Sequence, residues 1–149
     1  MAYPKAADCE TLGARILGAW DLVTYEVRQG PDLHFPLGPR ATGSLIYTPT
    51  GEVSVNLMAE GRARTSVGSI WQIGDETAGK LVRSYMAYSG RYTVDEAVCV
   101  IHHEIRLCLD PAMIGSPQLR HACFIGEDLE LRAEMQGVRQ ACLRWRRPA

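Results

Sequence analysis

The stretch Ser84-Tyr85-Met86-Ala87-Tyr88-Ser89-Gly90-Arg91-Tyr92-Thr93-Val94-Asp95-Glu96-Ala97-Val98-Cys99-Val100-Ile101-His102-His103-Glu104-Ile105-Arg106-Leu107-Cys108-Leu109-Asp110 decides the fold. It reads as two strands joined by a tight turn at Asp95-Glu96-Ala97, because apolar residues alternate with a period of two. On the second strand Cys99, Ile101, His103, Ile105, Leu107 and Leu109 share one face. Val98, Val100, His102, Glu104, Arg106 and Cys108 share the other. Successive strand residues leave opposite faces of a sheet, so His102 and His103 are split. The row of His103 is the more apolar, which places a titratable imidazole inside and His102 outside.

Composition narrows the function classes. A length of 149 residues predicts one domain over 1–149, large enough to bury roughly two-thirds of its unfolded surface. The net charge of −1 gives no electrostatic footprint for nucleic acid or an anionic membrane. No apolar run approaches the roughly 20 residues of a membrane span, and residues 1–8 lack the apolar core of a signal peptide. Five cysteines, an odd number without CxxC spacing, do not make a disulfide framework. Cys9, Cys99, Cys108, Cys123 and Cys142 are therefore expected as reduced thiols, and the protein as cytoplasmic.

Working outward, residues 6–16 predict a short helix, with Asp8 as cap and Cys9, Leu12 and Ile16 at helical spacing. A strand follows over 18–28, with Trp20, Leu22, Thr24 and Glu26 on one face and Val23, Tyr25 and Val27 on the other. Residues 30–41 hold three prolines and two glycines and predict a loop. Strands over 43–48 and 52–58 flank the hairpin turn Pro49-Thr50-Gly51. In the second of these, Val53, Val55 and Leu57 share a face. Residues 60–74 read as a connection, and 75–86 as a helix through Ala78, Leu81, Val82 and Tyr85. Beyond the central hairpin, 118–125 predicts a strand whose row Leu119, His121, Cys123 and Ile125 is placed inward. Strands over 129–134 and 140–146 complete the chain. About eight short antiparallel strands suit a closed barrel or a sandwich.

These blocks carry a resemblance. Leu17-Gly18-Ala19-Trp20-Asp21-Leu22 looks like the opening strand of the lipocalin-like domain family, with its Gly-x-Trp. His34-Phe35-Pro36-Leu37-Gly38-Pro39, followed by Gly43-Ser44-Leu45-Ile46-Tyr47-Thr48-Pro49-Thr50-Gly51, is similar to its most recognisable block. Ala87-Tyr88-Ser89-Gly90-Arg91-Tyr92, Ile101-His102-His103-Glu104 and Leu143-Arg144-Trp145-Arg146 resemble three more. The resemblance implies an all-β protein, a closed antiparallel up-and-down barrel of about eight strands with one or two short helices and an internal cavity. It does not fix a reaction, since the fold hosts carriers and enzymes alike.

Candidate chemistry rests on few residues. His103 and His121, on the rows placed inward, each fit a general acid or base, or a core histidine satisfied by a neighbouring hydroxyl or carbonyl. Tyr88 fits orientation of a ligand oxygen or proton donation, or barrel packing. Tyr47 and Tyr92 share that choice. Glu26, on the row of Trp20, is a base if buried and otherwise an exposed strand end. Trp20 with Arg144 or Arg146 looks like the cation–π closure of a lipocalin barrel. Val55, Leu57 and Ile105 supply apolar wall. No zinc-type spacing, phosphate loop or nucleophile motif is present, so neither metal nor cofactor is expected.

The reading that follows is a barrel binding a small, largely apolar organic molecule. It acts on that molecule as a cofactor-free isomerase or cyclase through His103, His121 and Tyr88. Trp20, Glu26, Tyr47, Val55, Leu57, Tyr92 and Ile105 are expected at the ligand. The alternative is a non-catalytic carrier or sensor. Either way the chain is expected as a monomer or homodimer.

Overall fold

A computed structural model describes residues 12–62, 64, 68–135, 137 and 139–149. Nine strands form one sheet: β1 (Gly18–Gln29), β2 (Asp32–His34), β3 (Thr42–Tyr47), β4 (Glu52–Met58), β5 (Tyr85–Asp95), β6 (Val100–Cys108), β7 (Gln118–Ile125), β8 (Asp128–Glu134) and β9 (Arg139–Arg146). Every pairing is antiparallel, from β1 through β3 to β9 in sequence order. β1 also pairs with β9, which closes an eight-stranded barrel. β2 stands outside that ring. It lies within the segment expected as loop, on the proline-free residues 32–34, and pairs with the end of β1 where β3 has peeled away.

Helix α1 (Leu12–Arg15) and helix α2 (Asp75–Arg83) accompany the barrel. The rest of the expected 6–16 helix lies outside the described residues. α2 ends three residues before the expected Met86, because Tyr85 already pairs with Met58 as the first residue of β5. The 60–74 connection contains a short 3₁₀ turn at Ile70–Gln72, capped by the Ser69 hydroxyl.

Two bulges reset which residues face inward. A bulge adds one residue to one strand and inverts the alternation beyond it. In β1 the register slips between Leu22 and Thr24. Trp20 and Leu22 point in before it, Tyr25 and Val27 after it. Glu26, expected beside Trp20, is therefore on the outer face, paired across from Cys142 and salt-bridged to Arg28. In the β5–β6 ladder the slip falls between Ser89 and Gly90, so Leu107 opposes Ser89 while Ile105 opposes Gly90. Leu107 and Leu109, expected inside, are exposed, Leu107 by 71%, and Cys108 packs on the core in their place. Gly90 permits the close approach: a Cβ there would overlap the backbone carbonyl of Glu104.

β7 is a third correction. Its register sets Ile101 opposite Arg120 and His102 opposite Leu119, and Ala122 and Phe124 opposite Leu131 and Leu129. The inward row is thus Gln118, Arg120, Ala122 and Phe124. Leu119, His121, Cys123 and Ile125 face outward, although they are the more apolar row. Leu119 is 45% exposed. The neighbouring strands decide the matter, since Ile101 and His103 on one side and Leu129 and Leu131 on the other are buried.

One end of the barrel is plugged. Leu12, Ile16, Trp20, Tyr47 and Leu129 form its packed core. The Trp20 indole donates to the Ile16 carbonyl at 2.8 Å, and the Glu96 carboxylate accepts from the first amides of α1, Leu12 and Gly13. Arg147, rather than Arg144 or Arg146, stacks 3.7 Å over the Trp20 ring. Arg144 and Arg146 instead pair with Asp128 on the outer wall, which holds the Asp128 carboxyl at about 2. Cys99, in the turn before β6, is disulfide-bonded, so the expectation of five reduced thiols is corrected and the thiol argument for a cytoplasmic setting lapses. Cys108, Cys123 and Cys142 are free, and Cys9 lies outside the described residues.

Candidate functional site: a Tyr–His–Tyr relay on the wall of a cavity

The unplugged half of the barrel holds a cavity of about 500 Å³. Its wall is mostly apolar: Leu45, Val55, Leu57, Met86, Leu131, Leu143 and Trp145. Polar groups enter from two sides. Tyr88 comes from β5, Gln118 and Arg120 from β7 on the far side of β6, and Tyr25 from β1 beyond its bulge. Asp110 and Glu134 stand at the rim, where the β6–β7 connection and the end of β8 meet solvent. At this size the cavity accepts one small organic molecule. Among the described residues the buried Trp145 indole N–H finds no hydrogen-bond partner.

Behind Tyr88 lies the arrangement that alternation alone predicts only in part. His103 is 0% exposed. Its Nδ1 sits 3.0 Å from the Tyr88 hydroxyl and its Nε2 2.8 Å from the Tyr47 hydroxyl. A neutral imidazole offers one donor and one acceptor, so one tyrosine donates to the ring and the other accepts from it. Arg120 stands beside Tyr88 on the cavity wall, and its charge favours the Tyr88 phenolate. Tyr88, His103 and Tyr47 form one hydrogen-bonded chain from the cavity wall into the core, with the Arg120 guanidinium beside its outer end.

Electrostatics fix the protonation of this chain. Burial holds the His103 imidazole well below its ordinary pKa, and the charge of Arg120 acts in the same direction. Burial raises Tyr47 and Tyr88, with Arg120 pulling each back in part. Tyr25 is raised by burial against the same pull of Arg120. At neutral pH the imidazole is therefore uncharged and the phenols keep their protons. Arg120 supplies the charge these four groups feel.

The expected site residues divide accordingly. Tyr88, Val55 and Leu57 line the cavity, while Tyr47 and His103 sit one layer behind it. Tyr92 stacks edge-on against Tyr47 and donates to the Thr48 carbonyl at 2.7 Å, away from the cavity. Trp20 and Ile105 belong to the packed core. Glu26 and His121 are on the outer face. Arg120, Gln118 and Tyr25 are missing from the sequence reading. Their signal was the row opposite the one chosen in β7, and a β1 pattern that no unbulged strand fits. Among the described residues no group of three His, Cys, Asp or Glu side chains is placed to share a metal ion.

The model of the lipocalin-like domain family matches residues 17–148. A solved structure of a redesigned beta barrel is similar over 99% of this chain and 100% of its own, at 8% identity and a TM-score of 0.45. Comparison with curated proteins gives no match.

Proposed function

The chain belongs to the lipocalin-like domain family, and from that premise we propose that its cavity takes up a small, largely apolar organic molecule and isomerises or cyclises it by proton transfer at Tyr88. The observation that carries this is the hydrogen-bonded chain ending on the wall: Tyr88 is the relay member in contact with the cavity, and His103 and Tyr47 stand behind it.

A double-bond shift or ring closure moves a proton between atoms of one substrate. Tyr88 gives its phenolic proton to a substrate carbonyl oxygen, its phenolate takes a proton from the neighbouring carbon to leave a neutral enol, and the reverse pair of transfers delivers a proton to a different carbon as the carbonyl re-forms. The phenolate left in between is stabilised by the Arg120 guanidinium and by an N–H from His103 Nδ1, with the Tyr47 hydroxyl turned to donate to Nε2. Preorganised donors of this kind act strongly in a water-poor site. His103 is a positioning residue here, because Tyr88 separates it from the substrate. His121 drops out of the mechanism. The apolar wall confines the substrate in a reactive conformer.

A carrier is the second reading, and one observation favours it. Both ring nitrogens of His103 are already engaged, and no member of the relay is an ionised base at neutral pH. The experiment that separates the two begins with native mass spectrometry of the purified protein to identify a retained small molecule. That molecule is then incubated with protein in D₂O. Deuterium entering its carbon skeleton catalytically, with a ~10²–10⁴-fold loss in Tyr88→Phe and little change in affinity, is the expected result. One molecule held per chain with no exchange identifies a carrier.

A further inference from the structure

The charge inside the barrel is unbalanced, and that imbalance specifies the ligand more narrowly than cavity size does. Arg120 faces inward because the β6–β7 and β7–β8 registers leave its row no other side. It donates to the Leu119 carbonyl at 3.0 Å, and its charge acts on the neighbouring Tyr88 phenol. Among the described residues no carboxylate stands within ion-pair distance of it. The contrast with the outer wall is direct. There the buried Asp128 is bound by Arg144 and Arg146, and the buried Glu130 by Arg132.

A half-buried guanidinium beside an apolar cavity loses hydration, and a partner of opposite charge restores what it loses. The other groups facing that space do not provide one. His103 is neutral, and Tyr25 and Tyr88 keep their protons. Asp110 and Glu134 are exposed at the rim, where water screens them. Asp110 already accepts from the Ala112 amide. Arg120 has five N–H donors in a planar fork, the geometry that carboxylates fit.

We infer that the ligand of this cavity is an amphiphile with one anionic oxygen group, a carboxylate or an ionised enol, seated against Arg120, and an apolar body against Leu45, Val55, Leu57, Leu131 and Leu143. The inference rests on the reading that the cavity is the ligand site, and is independent of whether Tyr88 performs chemistry. A cationic ligand is disfavoured by the same guanidinium.

The test is isothermal titration calorimetry with octanoate and 1-octanol at pH 8, where octanoate is ionised and the two probes share nearly the same apolar body. Wild-type protein is expected to bind octanoate about tenfold or more tightly than octanol, the scale of a charge-assisted hydrogen bond. Arg120→Met removes that preference, whereas Arg120→Lys keeps part of it. Equal binding of the two probes by wild-type protein, which needs no variant to fold, overturns the anion inference and leaves the cavity reading standing. So does a preference that survives in Arg120→Met. Failure of both probes to bind overturns the inference and the cavity reading together.

Discussion

The two ends of this barrel are built from the same strands and do opposite things. At the plugged end Leu12, Ile16, Trp20 and Leu129 fill the interior, and the Trp20 indole is satisfied locally on the Ile16 carbonyl. At the open end the same inward rows carry Tyr25, Gln118, Arg120 and Tyr88 around empty space. His103 sits between the two, bonded to Tyr47 on the packed side and Tyr88 on the cavity side. The difference teaches that interior polarity is not spread evenly. It is concentrated where packing stops, and that is where a ligand has work to find.

The largest effect expected from breaking this contrast is at the plug. Trp20→Ala deletes a buried indole from a dry core and should cost about 3–5 kcal/mol. Leu143→Ala, on the half-buried cavity wall, should cost no more than about 2 kcal/mol, the low end for such truncations. Urea titrations of both variants check the ordering. Equal losses would mean that the two halves are packed alike.

A smaller effect is expected at the boundary. The folded imidazole of His103 resists protonation, whereas an unfolded one takes a proton near its ordinary pKa of about 6.5. Below that pH the unfolded state binds the extra proton, so this contribution to stability is present above pH 6.5 and is lost as the pH falls. The limiting slope is about 1.4 kcal/mol per pH unit. Between pH 7.5 and 5.5 the wild type should therefore lose about 1 kcal/mol more than His103→Gln in parallel urea titrations. Matching pH dependence in the two proteins would place a charged imidazole inside the fold.

The smallest effect sharpens the β7 correction. His121→Gln, on the outer face, should change stability by no more than about 0.5 kcal/mol and leave octanoate affinity unaltered. A loss of binding comparable to that of Arg120→Met would show that β7 faces the other way.

The residues that were legible in the sequence share one property: their local pattern and their neighbours agree. Ile101, His103 and Ile105 alternate cleanly, so burial of His103 and exposure of His102 relative to it follow from the pleat alone. Val53, Val55 and Leu57 behave the same way. Where pattern and partners disagree, the partners win. β7 presents its more apolar row to the outside, because register against β6 and β8 is shared over many hydrogen bonds, and a one-residue slip would turn every inward side chain out.

By itself, then, the sequence determined a mostly β chain, the positions of the eight strands that form the barrel, and a histidine inside the sheet, because each follows from alternation and turn chemistry within a few residues. Only the tertiary structure decided that the sheet closes between β1 and β9, that bulges move Glu26 and Leu107 outward, that Tyr47 and Tyr88 grip His103, and that Arg120 rather than His121 faces the cavity. Those outcomes depend on register between strands far apart in the chain. A two-residue period leaves two faces for every strand, and which face is inside is settled only when its neighbours are in place.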